Sequence, residues 1–183
     1  MATLVLTVIG DDRPGLVAAL ADEVTRHAGN WLESQLARLG GKFAGIVLVQ
    51  VADANLAALT RSLEDLGGRV GLQVSSTPIL EGPAQRAEPG GPAPVPTQFM
   101  SLHLLGLDRP GIVSEISRTL TDYAASIEEL RTATFAAPMG GGVLFEADAR
   151  VQLPLGADVI ELRTALEALA AELMVDLELH LPD

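Results

Sequence analysis

The chain has 183 residues, 48% of them hydrophobic and 20% charged, which excludes a disordered polypeptide and bounds the fold to one or two small domains. It has no cysteine, excluding disulfides, thiolate metal sites and cysteine nucleophiles, and its net charge of −12 argues against direct binding to a nucleic-acid backbone. The opening Met-Ala-Thr-Leu-Val-Leu-Thr-Val has no basic leader, and no apolar run nears the ~20 residues that cross a bilayer, so a cytoplasmic protein without membrane contact is expected.

Residues Thr3 to Ile9 alternate, with Leu4, Leu6 and Val8 on one side, which predicts a strand. Asp12 then stands at an expected helix N-cap, with Pro14 in the first turn, where its missing N–H costs nothing. Leu16, Val17, Leu20, Ala21 and Val24 follow at helical spacing, and Gly29 is expected to close the helix in the left-handed conformation. Trp31–Leu39 and Phe43–Val51 flank Gly40-Gly41 and predict a hairpin. Leu56, Leu59, Leu63 and Leu66 mark a second helix that Gly67-Gly68 is expected to stop. Val70, Leu72 and Val74 predict a last strand.

Residues 78–97 contain 6 of the 11 prolines and 3 glycines and have no hydrophobic period, the composition of a semi-extended linker. The pattern then starts again. Met100, Leu102 and Leu104 repeat the first strand, and Ile112, Val113, Ile116 and Leu120 the first helix. Ile127–Phe135 and Val143–Leu153 repeat the hairpin. Val159, Leu162, Leu166 and Leu169 repeat the second helix, and Val175, Leu177, Leu179 and Leu181 the last strand. The expected organisation is thus residues 1–77 as one module, 78–97 as linker and 98–183 as a second module. Each reads β-α-β-β-α-β. With right-handed crossovers this gives an α+β, ferredoxin-like fold, a four-stranded antiparallel sheet with both helices on one face. Halves of this size are marginal alone, so packing against each other or forming a homodimer is expected. The charge is uneven, with net −2 over residues 1–77 and −9 over 98–183. The acidic half is a solvated surface or the counterpart of a basic partner.

Both modules carry the same strand-to-helix turn, Asp12-Arg13-Pro14-Gly15-Leu16 and Asp108-Arg109-Pro110-Gly111-Ile112. A helix N-terminus offers free backbone N–H groups and partial positive charge to a carboxylate, and an Asp can hold an ammonium group. Together these suit a free amino acid. Asn30 is expected at the same edge if its strand neighbours the end of the first helix, and Ser126 takes its place in the second copy. Capping, proline preorganisation and a tight bend already give the turn a structural role, to which ligand binding would be an addition. Arg13 and Arg109 read equally as exposed turn residues.

Two Asp-Arg-Pro-Gly turns in matching frames, with Gly29-Asn30 after the first helix, resemble a tandem pair of ACT domains, small-molecule-sensing modules of amino-acid metabolism. The resemblance covers nearly all of the chain outside 78–97. Chains of two such modules and nothing else, with a hairpin tip like Ala137-Pro138-Met139-Gly140-Gly141 and an apolar-Phe pair like Leu144-Phe145, resemble repressors of glycine cleavage genes. Gly142-Val143 departs from the small residue and proline of that group. The resemblance implies a cytoplasmic, non-enzymatic regulator that restrains a DNA-binding transcription activator by protein contact, with glycine or another amino acid as effector and no cofactor. The alternatives are a free-standing regulatory subunit of an amino-acid-metabolic enzyme and a plain dimerisation module.

Catalytic and metal chemistry find little support in the sequence. His27, His103 and His180 lack metal-ligand spacing. His27 reads as a helix-terminal cation, and His103 and His180 fall on the outer registers of adjacent strands, where they could approach each other or Glu178. Glu128 and Glu129 are expected to point to opposite faces. Lys42, the only lysine, falls at a hairpin tip, and Gly140-Gly141-Gly142 lacks the Lys-Ser/Thr of a phosphate loop. Trp31 reads as core, or as the border of a ligand edge or domain interface.

Overall fold

The computed structural model describes residues 1–79, 97–138 and 141–181. The chain divides into two units, Met1–Gly91 and Pro92–Asp183, each described by itself below. In the first, β1 (Ala2–Asp11), α1 (Leu16–Arg26), β2 (Asn30–Leu39), β3 (Lys42–Val51), α2 (Asp53–Glu64), α3 (Leu66–Val70) and β4 (Leu72–Ile79) follow in order. Their strands form an antiparallel sheet in the order β2-β3-β1-β4. The second unit holds β5 (Thr97–Leu107), α4 (Ile112–Asp122), β6 (Ser126–Ala136), β7 (Val143–Pro154), α5 (Val159–Leu173) and β8 (Val175–His180). Its order, β6-β7-β5-β8, is the same arrangement. Each is the ferredoxin-like α+β fold that the hydrophobic periods predict.

Alternation places the core. Leu4, Leu6 and Val8 of β1 and Val47, Val49 and Val51 of β3 are almost fully buried under Leu16, Leu20 and Val24 of α1 and Leu59 and Leu63 of α2. Met100, Leu102, Leu104, Val151 and Leu153 play that part under Ile112, Leu120, Leu162 and Leu166. Each fully buried side chain of this size contributes about 1.5–3 kcal/mol. All helices of a unit cover one face of its sheet, and the opposite face is open.

Several local expectations are corrected. The helix N-cap is Gly15, left-handed at φ 91°, and not Asp12, so Pro14 precedes the helix. The left-handed residue after α1 is Ala28 at φ 53°, not Gly29. Gly29 is needed for space, since a Cβ there would lie 2.9 Å from Val24 Cγ1. Gly67-Gly68 do not stop the second helix. A further short turn of helix, α3, runs through them and ends at left-handed Gly71, which leaves Val70 outside the last strand. The tip at Gly40-Gly41 has both residues at positive φ, 57° and 76°, as a two-residue hairpin turn requires.

Most of the expected linker lies outside the described residues. Its ends are strand: Pro78 and Ile79 belong to β4, and Thr97 opens β5. β4 is an edge strand, where a residue without an N–H is tolerated. The expectation that Glu128 and Glu129 oppose each other is also overturned. A β-bulge falls between Ile127 and Glu129, and both carboxylates reach the open face. Glu128 lies 3.8 Å from Arg150, and Glu129 lines a depression together with that arginine. β2 has the matching irregularity between Trp31 and Glu33.

Candidate functional site

Strands β1 and β5 both end at a turn tied to the neighbouring hairpin. The amide of Asp12 donates to Gly41 O at 3.0 Å, and that of Asp108 to Val143 O at 2.8 Å. Each helix starts on a left-handed glycine, Gly15 at φ 91° and Gly111 at φ 100°. The first helical bonds run from Ala19 N–H to Gly15 O and from Glu115 N–H to Gly111 O, both at 2.9 Å. The amides of Leu16, Val17 and Ala18, and of Ile112, Val113 and Ser114, therefore stand outside the helical ladder. β1 meets the α3–β4 junction closely at Gly10, where a Cβ would lie 2.7 Å from Gly71 O. Gly106 is crowded in the same way by Val175.

The two turns differ in charge. In the first, Asp12 Oδ2 lies 2.8 Å from Arg38 Nε, and Asp11 pairs with Lys42. The Lys42 ammonium, through its hydrogen bond and then its charge, holds the Asp11 carboxyl below the usual carboxylate range. Arg13 donates to Val70 O at the end of α3 and lies against Gly71, so its guanidinium fastens the turn to the α3–β4 junction. The second turn has no α3 to hold. Arg109 Nη2 instead lies 3.6 Å from Glu115 Oε2 in the first turn of α4, and its Nε is buried without a hydrogen bond. Leu107, Thr134 and Leu144 stand where Asp11, Arg38 and Lys42 stand in the first unit, and Asp108 is exposed.

The helix N-termini differ as well. A Cβ on Gly15 would meet nothing within 4 Å, and the first turn of α1 has no acidic residue. Over Gly111 the Glu115 carboxylate comes within 3.2 Å of that position. The first turn thus offers open amides beside a carboxylate whose partner, Arg38, is 75% exposed and readily exchanged. In the second turn the chain's own carboxylate lies beside the left-handed glycine and Arg109.

Within one unit the structure does not bring Asn30 to Asp12. Asn30 is opposite Gln50, which is opposite Thr3, whereas Asp11 pairs with Lys42 at the far end of β1. Eight residues of strand separate the two rows, about 27 Å. Ser126 is likewise level with Phe99 through Gln152, far from Asp108. The physical reason is that β2 runs parallel to β1, so its start lies beside the start of β1 and away from the turn.

Trp31 is half-buried against the core. His27 caps α1 with Nδ1 2.9 Å from Glu23 O. Among the described residues, no group of three or more His, Cys, Asp or Glu is placed to hold a metal ion, and no helix is long and apolar enough to cross a membrane. The hairpin tip closes with Ala137 N–H on Gly142 O at 2.9 Å, while Met139 and Gly140 lie outside the described residues. Sequence reasoning missed Glu23, a fully buried carboxylate between Arg26 (2.6 Å) and Arg69 (3.1 Å) that also accepts from Ser62. Its place on the buried stripe of α1, in register with Leu16, Leu20 and Val24, was the available signal.

The ACT-domain family profile matches residues 2–77 and 98–180. The chain is similar to the glycine cleavage system transcriptional repressor of Escherichia coli (strain K12), 25% identical over 170 residues that cover 93% of this chain and 85% of that protein. It is 34% identical over 76 residues to a UPF0237 protein of Methanocaldococcus jannaschii, covering 40% of this chain and 84% of that one. Among solved structures, an unknown protein from Galdieria sulphuraria superposes with a TM-score of 0.76 at 30% identity, covering 100% of this chain and 99% of that chain. Two ferredoxin-like units, each opened by an Asp-Arg-Pro-Gly turn and each matched by the family profile, make this chain a tandem member of the ACT-domain family.

Proposed function

We propose that the protein is a non-enzymatic, amino-acid-responsive regulator that represses expression of the glycine cleavage system from the cytoplasm, by contact with a DNA-binding activator. The observation that carries this reading is the collinear likeness of both units to the Escherichia coli repressor over 93% of the chain. The net charge of −12 supports action through a protein and not through DNA. The effector is glycine or another free amino acid. Its carboxylate meets the open amides at Gly15 and Leu16, and its ammonium group shares the Asp12 carboxylate with Arg38. Arg13 and Pro14 hold the turn in shape. The matching residues Asp108, Arg109, Pro110, Gly111 and Ile112 form a weaker counterpart, because Glu115 already occupies the approach. Asn30 and Ser126 do not contribute to the turn of their own unit. For the effector to act, it must prefer one packing of the modules to another, and the preferred packing sets affinity for the partner.

Calorimetry of the full chain against glycine, serine and the remaining standard amino acids tests the sensing step. Saturable binding to one of them is expected, weakened in Asp12→Ala, and no heat with any of them removes the sensing role. Affinity capture of the full chain from extract tests the partner. Recovery of a DNA-binding activator is expected, whereas recovery of an amino-acid-metabolic enzyme would move the reading to a free-standing regulatory subunit.

A further inference from the structure

The open faces of the two sheets differ in kind. Strand register sets a row of side chains across the middle of each. In the first unit that row is Gln35, Ile46, Thr7 and Ser75, with no ionisable group. In the second it is Arg131, Asp148, His103 and Glu178. His103 lies on the inner strand β5, with a carboxylate opposite it on each neighbouring strand.

The geometry around the imidazole is specific. His103 Nδ1 lies 2.9 Å from Asp148 Oδ1 on β7, and Nε2 lies 4.0 Å from Glu146 Oε1 on the same strand. On β8, Glu178 is its direct cross-strand partner, and Asp176 is diagonal to it. The other cations of this face have partners of their own. Arg131 Nη2 is 2.7 Å from Glu129 on β6. Arg150 stacks 4.2 Å from the Phe99 ring centroid and lies 3.8 Å from the bulge residue Glu128. His180 is 3.6 Å from Glu178 on its own strand. His103 is therefore the group set between the carboxylates of β7 and those of β8. It borders an open depression of ≈ 390 Å³ and is 34% exposed, so protons reach it.

We propose that His103 is a proton-operated latch of the second sheet: as a cation it joins the carboxylates of β7 and β8 across β5, and as a neutral ring it leaves the edge strand β8 less firmly held. Neutral His103 leaves Asp148, Glu146 and Glu178 around an uncharged ring, and the repulsion between the carboxylates of β7 and β8, which flank β5, is then uncompensated. β8 is the element exposed to this cost. It has six residues, forms one edge of the sheet and, among the described residues, pairs with β5 alone. The hydrogen bond that His103 donates to Asp148, together with the charges of Asp148, Glu146 and Glu178, outweighs desolvation and raises the His103 pKa above its ordinary 6.5. A raised value means that the latch is fully set below 6.5 and released as the pH rises through the raised value. The first unit, with no ionisable group in its corresponding row, is an internal control within the same chain.

Imidazole NMR titration of the full-length protein, with assignment by His103→Gln, measures the midpoint. Amide hydrogen exchange at about pH 6 and pH 8, corrected for intrinsic exchange, compares β8 with β4. His103 is expected to titrate above 6.5. Protection of β8 should fall between the two pH values by up to about tenfold for each unit of upward displacement, with β4 unchanged. His103→Gln and Asp148→Asn should each abolish that difference, and His180→Gln should retain it. A His103 midpoint at or below 6.5, or the same pH trend in β8 of His103→Gln, overturns the proposal.

Discussion

Asp12 and Asp108 occupy matching positions yet meet different neighbours, and single residues account for the difference. Arg38 holds the first carboxylate at 2.8 Å, whereas threonine occupies the equivalent of Arg38 in the second unit. On the proposed reading, in which Asp12 receives the effector's ammonium group, Asp12→Ala should weaken effector binding by about tenfold or more, the value of one charge-assisted hydrogen bond. Calorimetry reads this, and circular dichroism should show the fold retained. Glu23 acts on stability instead. Burial is the largest influence on its pKa and pushes it up, but the hydrogen bonds and charges of Arg26 and Arg69 prevail and hold it below 4.5. Its contribution is therefore present above 4.5 and lost as the pH falls through its lowered value. Glu23→Gln should destabilise the protein by about 2 kcal/mol at neutral pH, less than a fully buried pair because both arginines are half exposed. Urea unfolding of wild type and variant at about pH 7 and pH 3 checks this, and the gap should narrow in acid.

At the scale of elements, the turns show what a sequence makes legible. Periods of two and of three to four residues place β1, β4, β5, β8 and the main helices, because each of these turns one stripe to the core, whereas the largely exposed hairpin strands β2 and β6 are legible only as apolar-rich runs beside a turn. The boundaries were harder to read. Gly29 reads as the left-handed closure of α1, but Ala28 takes that conformation at φ 53° and Gly29 packs tightly against Val24. Gly67-Gly68 looked like a stop, but Leu66 is fully buried and draws one more helical turn onto the core. The Asp-Arg-Pro-Gly motif announced the turn and not its charge pairs, since Arg38 and Lys42 reach it from a hairpin whose register no local pattern gives. For the same reason Asn30 was grouped with a turn about 27 Å away. Two substitutions of opposite sign follow. Gly15→Ala places a Cβ at φ 91° and should cost about 1 kcal/mol through strain alone, since open space surrounds it. Ala28→Gly relieves a left-handed alanine and should stabilise by about 0.5–1 kcal/mol. Chemical denaturation at neutral pH distinguishes the two.

For the whole molecule, two units share one sheet topology and differ in their surfaces. The uneven charge was legible from composition, but its placement on the open face of the second sheet required strand register. On the proposed reading, an effector that binds the folded chain at the first turn stabilises it by mass action, by about 2.7 kcal/mol at an effector concentration of about 100 times Kd. Calorimetric melting should therefore show a transition that rises with the amino acid in the wild type and rises less in Asp12→Ala. The position of Glu115 over Gly111 bears on how many effector molecules one chain takes up. On the proposed reading that carboxylate is a tethered competitor of the effector, present at fixed local concentration and never diluted, so the wild-type protein should saturate at one equivalent. Shortening it, as in Glu115→Ala, should vacate a second berth and carry the titration endpoint from one equivalent per chain toward two.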